Sequence, residues 1–297
     1  MRSESSSEPS GQAEPERPRI LLGTAGFHFD DWVGPFYPNN LQPSSWFEFY
    51  AQEFPCLELN ATFYTWIATR TMQRFADRAP ERFRFNVKVH RSLTHEIADL
   101  DKGVAAMLDT ARPLREADKF GCFLAQFPQS FHPSPQRETY VQRLAESLQP
   151  LCVEFRSADW QSEGSARLAE ESGFSIVAVD GPSLEGLPTL APPPVSSRGY
   201  VRLHGRNRGK WYRHEEAWER YDYLYSEDEL KEVVPVVLDV ASRVASRASS
   251  GASSEGGGVG ETYVVFNNHY GAQAVTNARQ MAALLGLPHS PAQGQLF

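Results

Sequence analysis

Short apolar runs recur along the chain, most of them four or five residues long and each followed by polar residues. Their β-branched and aromatic side chains are typical of strands that are buried on both faces. The eight runs are Ile20–Gly23, Cys56–Asn60, Arg84–Lys88, Cys122–Gln126, Leu151–Glu154, Ser175–Val179, Tyr200–Leu203 and Tyr263–Phe266. We therefore expect eight short strands.

Helical patterns fill most of the gaps between these runs. The predicted helices are Trp46–Phe54, Thr71–Ala79, Leu100–Ala117, Gln136–Leu148, Ser165–Ser172, a helix from Ser226 toward Val244, and Ala272–Leu285. Ser45 with Glu48 matches the capping box that opens a helix, and so does Ser226 with Glu229. Pro235 should kink its helix or lie in its early turns. The gap between the sixth and seventh strands shows no clear helix.

Strands that alternate with helices in this way predict an α/β fold. With eight strands, the expected architecture is a parallel (β/α)8 barrel of the TIM type in a single domain. A doubly wound open sheet is the alternative. Its dinucleotide-binding form carries G-x-G-x-x-G after the first strand, and no such motif follows Ile20–Gly23. The barrel is therefore the favoured interpretation.

Two stretches of the chain are polar and low in complexity. Residues 1–18 are rich in Ser, Glu and Pro, and residues 246–260 are rich in Ser and Gly. We expect a disordered N-terminal tail and a flexible surface insertion there, because neither stretch has enough apolar side chains to pack. The barrel should then occupy residues 19–288 and leave 289–297 as an exposed C-terminal tail.

Composition and charge narrow the class of protein. The chain has 29 basic and 37 acidic residues, a net charge of −8, which argues against a generally basic nucleic-acid coat. No apolar run approaches the roughly 20 residues that span a bilayer, and the polar N-terminus lacks a signal-peptide core. Cys56, Cys122 and Cys152 lie in apolar runs and indicate buried, reduced thiols. We expect a cytoplasmic protein with no membrane partner.

Polar side chains follow nearly every predicted strand. In a barrel of this type the active site forms where the strands end, so these side chains should meet at one mouth. They are Glu58, Asn60, Lys88, His90, Gln126, Glu154, Arg156, Asp180, Arg202, His204, Asn267, Asn268 and His269. Burying so many polar groups costs free energy unless they are paired. The pattern indicates a site, and the alternative is an ion-pair network of Glu154, Arg156 and Asp180 that closes the barrel.

Some of these side chains could hold a divalent metal. Carboxylates and imidazole suit Mg²⁺, Mn²⁺ or Zn²⁺, and the candidate ligands are Glu58, Glu154, Asp180 and His204. No tight ligand spacing such as H-E-x-x-H accompanies them. The alternative is a metal-free site in which one carboxylate is the general base and Lys88 or a histidine is the acid or the electrostatic stabiliser.

A loop rich in arginine and glycine follows the seventh strand, R-L-H-G-R-N-R-G-K-W-Y-R-H at Arg202–His214. Loops after the seventh and eighth strands of such barrels often bind phosphate. Arg202 and Arg206 are therefore candidates for binding an anion, either a phosphorylated metabolite or a nucleic-acid backbone. The alternative is a solvated basic loop whose charges pair with Glu215, Glu216 and Glu219.

The end of the chain indicates a protein partner. Gln293, Leu296 and Phe297 fit Q-x-x-L-F, which resembles the peptide by which bacterial DNA-processing proteins dock onto the replication sliding clamp. A short extended peptide that follows Pro288 and Pro291 could reach a groove on such a partner. The alternative is an incidental apolar tail.

Seven motifs occur in order between about Ile20 and Leu287. They are G-T-A-G-F-H-F-D-D-W-V-G-P-F-Y-P (Gly23–Pro38), L-E-L-N-A-T-F-Y (Leu57–Tyr64), F-R-F-N-V-K-V-H-R-S-L-T-H (Phe83–His95), L-A-Q-F-P (Leu124–Pro128), V-E-F-R (Val153–Arg156), Y-V-R-L-H-G (Tyr200–Gly205) and F-N-N-H (Phe266–His269). Together they resemble the YecE-like proteins, domain-of-unknown-function family 72. The resemblance implies a TIM barrel and supplies no settled reaction.

The motifs of this family coincide with the strand ends, and they add His95 to the candidates. The catalytic candidates are Glu58, Lys88, His95, Glu154, Asp180, His204 and His269. The candidates for substrate binding are Asn60, Gln126, Arg156, Arg202, Arg206, Asn267 and Asn268.

Three functions remain open. The first is an enzyme that acts on a phosphate-bearing substrate, nucleic acid included, by acid–base or metal-assisted hydrolysis. In that case Glu154 and Asp180 bind metal or act as base, while Lys88, Arg202 and Arg206 hold the anion and His204 or His269 moves a proton. The second is a sugar or sugar-phosphate isomerase or hydrolase. The net charge favours it, and the aromatic loop after the first strand, with Phe27, Phe29, Trp32, Phe36 and Tyr37, is compatible with it. The third is a non-catalytic binding protein tethered to the clamp by its tail.

Overall fold

The strands form one parallel sheet that curves into a barrel. The computed structural model describes residues 18–250 and 260–288. Its strands are β1 Arg19–Ala25, β2 Cys56–Leu59, β3 Arg84–Lys88, β4 Phe120–Phe127, β5 Leu151–Phe155, β6 Ser175–Ile176, β7 Ala178–Asp180, β8 Arg198–Leu203 and β9 Glu261–Phe266. Their order in the sheet is β6-β5-β4-β3-β2-β1-β9-β8-β7. The prediction of a single α/β barrel of the TIM type is confirmed.

The predicted sixth strand is divided at Val177. Its first part, β6, pairs with β5, and its second part, β7, pairs with β8. Between them the Val177 N–H donates to the Val153 carbonyl at 2.9 Å. The nine strand segments therefore occupy eight strand positions, and the sheet is nearly closed because one strand contacts its two neighbours in turn.

Helices pack around the outside of this sheet. They are α1 Trp46–Glu53, α2 Ala61–Tyr64, α3 Thr69–Arg78, α4 Arg91–Thr94, α5 Leu100–Glu116, α6 Pro135–Ser147, α7 Glu163–Ser172, α8 Glu227–Ser249 and α9 Gln273–Leu284. Residues 181–197 contain no helix, as expected. The capping box of Ser226 and Glu229 opens α8, and Pro235 lies inside that helix.

Two local predictions were wrong. Ser45 does not cap α1, because Pro43–Ser45 form a separate 3-10 turn, and Glu48 pairs with Arg78 instead. Residues 246–249, expected in the flexible insertion, form the last turn of α8. The hydroxyl of Ser246 donates to the carbonyl four residues earlier at 2.9 Å, so it bonds within the helix.

The predicted tails and most of the predicted insertion lie outside the described residues. These are residues 1–17, 251–259 and 289–297, and the last range includes Gln293, Leu296 and Phe297. In the part of the chain that the structure describes, no helix is long and apolar enough to cross a membrane.

The core has two layers because the strands are covered on both faces. Side chains inside the barrel, such as Leu21, Leu124 and Val265, pack in one cluster, and the larger second cluster joins the outer faces of the strands to the helices. The three cysteines are buried and free, as predicted. Strand residues that face the barrel axis at its carboxyl end are polar, and they form the site described next.

Candidate active site at the barrel mouth

A buried guanidinium group joins three strands at the carboxyl end of the barrel. Arg202 on β8 is fully buried, and its Nη2 donates to Glu58 Oε1 on β2 at 2.6 Å. Its Nη1 donates to Glu154 Oε2 on β5 at 2.5 Å and to Gln126 Oε1 on β4 at 3.3 Å. We call these four residues the Arg202 network. The sequence placed all of them at strand ends, and the structure brings them together.

Tyr200 extends the network and was missed by the sequence analysis. Its hydroxyl donates to Glu58 Oε2 at 2.9 Å. Tyr200 and Arg202 are two residues apart on β8, so they face the same side of the strand. That alternation is the signal that could have identified Tyr200.

Glu154 is held by a second arginine and by a histidine. Arg156 Nε donates to Glu154 Oε1, and His204 Nε2 lies 3.1 Å from the same oxygen. Burial alone would raise the pKa of Glu154, but the charges of Arg202 and Arg156 hold it well below its ordinary value. The carboxylate is therefore ionised at neutral pH.

His204 is a neutral side chain with both ring nitrogens engaged. Burial, together with the charge of Arg156, lowers the pKa of His204 to about 3. A neutral ring beside a carboxylate donates from Nε2, and this leaves Nδ1 to accept from the Asn267 amide at 3.0 Å. His204 and Asn267 thus fix the position of Glu154.

Lys88 on β3 differs from every other cation of the mouth. The residue is 8% exposed, and its Nζ has no hydrogen-bond partner among residues 18–250 and 260–288. Nζ lies 4.6 Å from the centroid of the Phe63 ring. Burial, with the nearby charge of Arg202, lowers the pKa of Lys88 to about 7. Near neutral pH the amine therefore exists in both protonation states.

Arg156 also has unused hydrogen-bonding capacity. Its Nε is bound to Glu154, and its guanidinium carbon lies 5.5 Å from the centroid of the Trp211 ring. Within the described residues its two terminal nitrogens make no hydrogen bond. The charge of Arg156 contributes to the lowered pKa of Lys88, so the two cations share the mouth.

Asp180 and Arg206 form a separate, fully paired unit at the edge of the mouth. Arg206 Nη2 donates to Asp180 Oδ2 at 2.8 Å, and its Nη1 donates to Glu232 Oε2 at 2.7 Å. The Tyr225 hydroxyl, which the sequence did not indicate, donates to Asp180 Oδ1 at 2.7 Å. Hydrogen bonding to Asp180 raises the pKa of Arg206 above its ordinary value, so the Arg206 guanidinium group stays charged. Arg206, a predicted anion ligand, is therefore already paired with the carboxylates of Asp180 and Glu232.

The loop after β8 is positioned by a glycine. Gly205 has a φ of +88°, and a Cβ atom there would lie 2.7 Å from the Tyr223 Cβ. Its N–H donates to the Tyr225 hydroxyl at 2.8 Å. Farther along this loop, Lys210 pairs with Glu219, as the solvated-loop alternative predicted.

The two remaining histidine candidates lie beside aromatic rings. His95 packs edge-on to Phe63 at 5.0 Å between centroids, so it is near the ring that Lys88 contacts. Burial and the charge of Lys88 lower the pKa of His95. His269 stacks on Phe29 at 4.6 Å, and burial lowers the pKa of its imidazole.

The two remaining asparagine candidates, Asn60 and Asn268, behave differently. Asn60 lines a cavity of about 260 Å³ beside Glu58, and its buried Oδ1 has no hydrogen-bond partner in the described part of the chain. Asn268 donates to the Tyr223 carbonyl and to Asn277 Oδ1, both at 2.8 Å. Asn268 therefore holds the β8 loop and α9 together.

Most aromatic side chains of the first loop pack against the barrel. Tyr37, for example, is buried and stacks on Trp46 at 4.8 Å between centroids. Exposed rings lie in the segment after β2, where Tyr64 at the end of α2 is 70% exposed and Trp66 is 44% exposed. The Trp66 ring stacks on His90 at 4.0 Å. The exposed rings of Tyr64 and Trp66 are therefore available to a ligand at the rim of the mouth.

The predicted metal ligands do not form one cluster. Glu58 and Glu154 hold Arg202 between them, and Asp180 holds Arg206. In residues 18–250 and 260–288, no three side chains of His, Cys, Asp or Glu come together in a way that could hold a metal ion. Guanidinium groups thus take the place that a metal cation would take between these carboxylates.

Comparison with known proteins identifies the family. A family model described as "Protein of unknown function DUF72" matches residues 21–295. The chain belongs to the DUF72 family. The family resemblance read from the sequence motifs is thereby confirmed.

Relatives of this DUF72 chain match it over nearly its whole length. It is 25% identical to the UPF0759 protein YunF of Bacillus subtilis, over 94% of this chain and 100% of that protein. The crystal structure of a DUF72 family protein from Thermotoga maritima is similar, with 36% identity, a TM-score of 0.78, and coverage of 90% of this chain and 99% of that one. A DUF72 family protein from Enterococcus faecalis has the same fold, at 24% identity and a TM-score of 0.77, over 94% of this chain and 99% of that one.

Proposed function

We propose that this protein is an enzyme that performs acid–base chemistry on a small anionic substrate at the barrel mouth. In this proposal Arg156 holds the anionic group and Lys88 transfers the proton. The observation that carries the proposal is the Lys88 amine, which is buried at the mouth without a hydrogen-bond partner among the described residues and has a pKa of about 7. Such a pKa matches the requirement for a general acid or base near neutral pH.

The charges of the mouth favour an anionic ligand. Two carboxylates, Glu58 and Glu154, face two guanidinium groups, Arg202 and Arg156, and these four charges cancel. A protonated Lys88 adds one positive charge, and no carboxylate in residues 18–250 and 260–288 forms an ion pair with it. A phosphate or carboxylate group of a substrate would neutralise it, and the free terminal nitrogens of Arg156 offer two parallel donors to such a group.

Proton transfer is assigned to Lys88 and not to His204. A base must change its protonation state during turnover, and burial keeps His204 neutral with a pKa of about 3. Its two nitrogens are engaged by Glu154 and Asn267. His204 is thus a positioning residue in this proposal.

The substrate class is a phosphorylated compound of sugar size. The anion site supports the phosphate-bearing substrate of the first hypothesis, and the exposed rings of Tyr64 and Trp66 at the rim offer stacking faces for a sugar. One such compound satisfies the requirements of both enzyme hypotheses.

Thermal melting with sulfate tests the anion site. Sulfate does not titrate near neutral pH, and a ligand that binds the folded state raises the melting temperature. Low millimolar sulfate should stabilise the wild-type protein and the surface variant Arg243→Met, and stabilise Arg156→Met much less. The gain should fall as pH rises through 7, because Lys88 loses its charge, and Lys88→Met should lack this pH dependence. Equal stabilisation of wild type and Arg156→Met would exclude Arg156 as the anion ligand.

A turnover screen tests the chemistry. A panel of sugar phosphates is incubated with the wild-type protein, Lys88→Met and the surface variant Lys102→Met, and products are followed by NMR. Turnover should be seen for wild type and Lys102→Met and be lost in Lys88→Met. A substrate that Lys88→Met converts at the wild-type rate would remove Lys88 from the mechanism.

A further inference from the structure

We infer that Lys88 is a nucleophile as well as a proton carrier, and that its ε-amine forms a Schiff base with the aldehyde or keto group of the anionic substrate. This inference rests on the proposed function and specifies its substrate, which would be a carbonyl compound carrying a phosphate or carboxylate. Three features of the described residues support it: the distribution of lysine, the contacts of Nζ, and the charges around it.

Lysine is rare in this chain. Of 29 basic residues, five are lysines, namely Lys88, Lys102, Lys119, Lys210 and Lys231, which leaves 29 − 5 = 24 arginines. The other cations described at the mouth, Arg156, Arg202 and Arg206, are all arginines. A guanidinium group keeps its proton and forms no imine under these conditions, whereas a lysine amine can lose its proton and attack a carbonyl. The lysine at position 88 therefore supplies a reactive amine that an arginine could not supply.

The Lys88 amine is also free of competing hydrogen bonds. Lys119, which is partly buried, donates to the carbonyls of Ala76 and Ala79 at 2.6 and 2.7 Å. Lys88 Nζ faces the Phe63 ring at 4.6 Å and has no such partner among the described residues. No hydrogen bond must be broken before its lone pair can attack. The aromatic face keeps water away from one side of the amine.

The surrounding charges suit both ends of the reaction. Burial and the charge of Arg202 favour the neutral amine that attacks, while the carboxylates of Glu58 and Glu154 favour a cation at Nζ. A Schiff base of lysine is a protonated iminium, which carries its positive charge at this same nitrogen. The two carboxylates would therefore stabilise the product, and the carbonyl substrate's anionic group would bind Arg156.

The step balances without a redox partner. The Nζ lone pair forms a bond to the carbonyl carbon, the carbonyl π pair moves to oxygen, and one proton passes from the nitrogen to that oxygen to give a neutral carbinolamine. The nitrogen then forms a second bond to carbon as the hydroxyl group, protonated once more, leaves as water. The overall change is a neutral amine, a carbonyl group and one proton giving an iminium ion and one water molecule.

Reductive trapping tests this step. The full-length protein is incubated at pH 7 with cyanoborohydride and either dihydroxyacetone phosphate or dihydroxyacetone, and the modified lysines are mapped by mass spectrometry. Cyanoborohydride delivers hydride to the iminium carbon and makes the adduct permanent. At pH 7 a pKa of about 7 leaves half of the Lys88 amines neutral, against roughly one in a few thousand for an ordinary lysine side chain. We expect Lys88 to be labelled at least tens of times faster than Lys102, and faster by the phosphorylated probe.

Matched variants separate the possible results. Lys88→Arg keeps the cation and should abolish the fast adduct, whereas Lys102→Arg, the same change at an exposed lysine, should leave it intact. Arg156→Met should reduce labelling by dihydroxyacetone phosphate to the rate seen with dihydroxyacetone. Circular dichroism confirms that each variant is folded. If Lys88→Arg does not fold, the relative rates at Lys88 and Lys102 in the wild-type protein still decide the question.

The outcomes distinguish this inference from the proposed function. Sulfate stabilisation that needs Arg156, with Lys88 labelled no faster than Lys102, would overturn the Schiff base and leave the anion site standing. Fast labelling of Lys88 by both probes alike would support the Schiff base and remove the anion site. Absence of both effects would overturn the two proposals together.

Discussion

Replacing Arg202 by methionine removes the guanidinium group that joins three strands of the barrel. Methionine has a similar length and no charge, so the main change is electrostatic. Arg202 is fully buried and donates to Glu58 and Glu154, which are themselves fully buried. After the change Glu154 keeps Arg156 and His204, whereas Glu58 keeps the Tyr200 hydroxyl as its remaining donor among the described residues.

The expected cost follows from this inventory. Breaking a buried ion pair by removing one partner costs about 3–5 kcal/mol, because it leaves an uncompensated buried charge. Arg202 contacts two such carboxylates, and one of them retains other partners. We therefore expect Arg202→Met to lower the free energy of unfolding by about 3–5 kcal/mol at pH 7. This is a large part of the 5–15 kcal/mol that stabilises a typical domain.

The loss should also depend on pH, with a definite sign. Arg202 is the strongest influence that keeps the pKa of Glu154 below its ordinary value. A carboxyl group with a depressed folded-state pKa contributes stability that is present above the unfolded-state value, about 4.3, and is lost as pH falls through the folded-state value. Removing Arg202 removes the largest part of that contribution, and Arg156 and His204 keep the rest. The difference between wild type and variant should therefore be largest near neutral pH and shrink below about pH 4.

Urea unfolding followed by circular dichroism at pH 7 and pH 3 measures both effects. The matched control is Arg243→Met, the same substitution at an exposed pair with Asp239 on α8, which should cost less than about 0.5 kcal/mol. A loss below about 1 kcal/mol at pH 7 would refute the estimate. An equal loss at the two pH values would show that the stabilisation does not come from the ionised carboxylates.

Three further predictions concern Lys88, Gly205 and the C-terminal tail. Burial lowers the pKa of Lys88 to about 7, so folding is penalised below that pH and the penalty fades toward pH 10; Lys88→Met should raise the melting temperature more at pH 6 than at pH 9.5, and equal shifts would contradict this. Gly205→Ala should cost about 1–3 kcal/mol in urea unfolding, because Gly205 has a positive φ and lies close to Tyr223. Gly209→Ala should cost less, because a Cβ atom there would lie 3.9 Å from its nearest neighbour, Asn207 Oδ1; similar costs would refute the argument. Deleting Gln293–Phe297 should reduce capture by an immobilised bacterial sliding clamp to background, and unchanged capture would eliminate the docking hypothesis.

The strands and their order could be predicted because short apolar runs are bounded by polar residues. The division of the sixth strand at Val177 could not, since it depends on which neighbour each half pairs with. The end of α8 was misplaced for a different reason. The serine-rich composition around residues 246–249 predicts a flexible segment. In the fold, however, the hydroxyl groups of Ser246 and Ser249 donate to carbonyls of the same helix.

The site was predictable as a location and not as a set of partners. The positions of Glu58, Glu154 and Arg202 at strand ends placed them at the mouth. Arg202 is 144 residues from Glu58 and 48 residues from Glu154 in the sequence, and these separations do not indicate which side chains form hydrogen bonds. Beyond the last strand the alternation of faces no longer applies. Asn267 consequently reaches His204, while its neighbour Asn268 turns toward α9.

The position of Arg202 also has a consequence for how the barrel assembles. Its two carboxylate partners lie on β2 and β5, and the arginine itself arrives with β8, late in the chain. A half-barrel built from the first five strands would have to leave its two carboxylates in water, because burying them without the guanidinium group is costly. Docking of β8 therefore removes the charge penalty in the same step that brings the second half of the sheet, with β9 between β8 and β1, onto the first half. The polar mouth makes folding cooperative across the two halves of the molecule and disfavours compact half-barrels as stable intermediates.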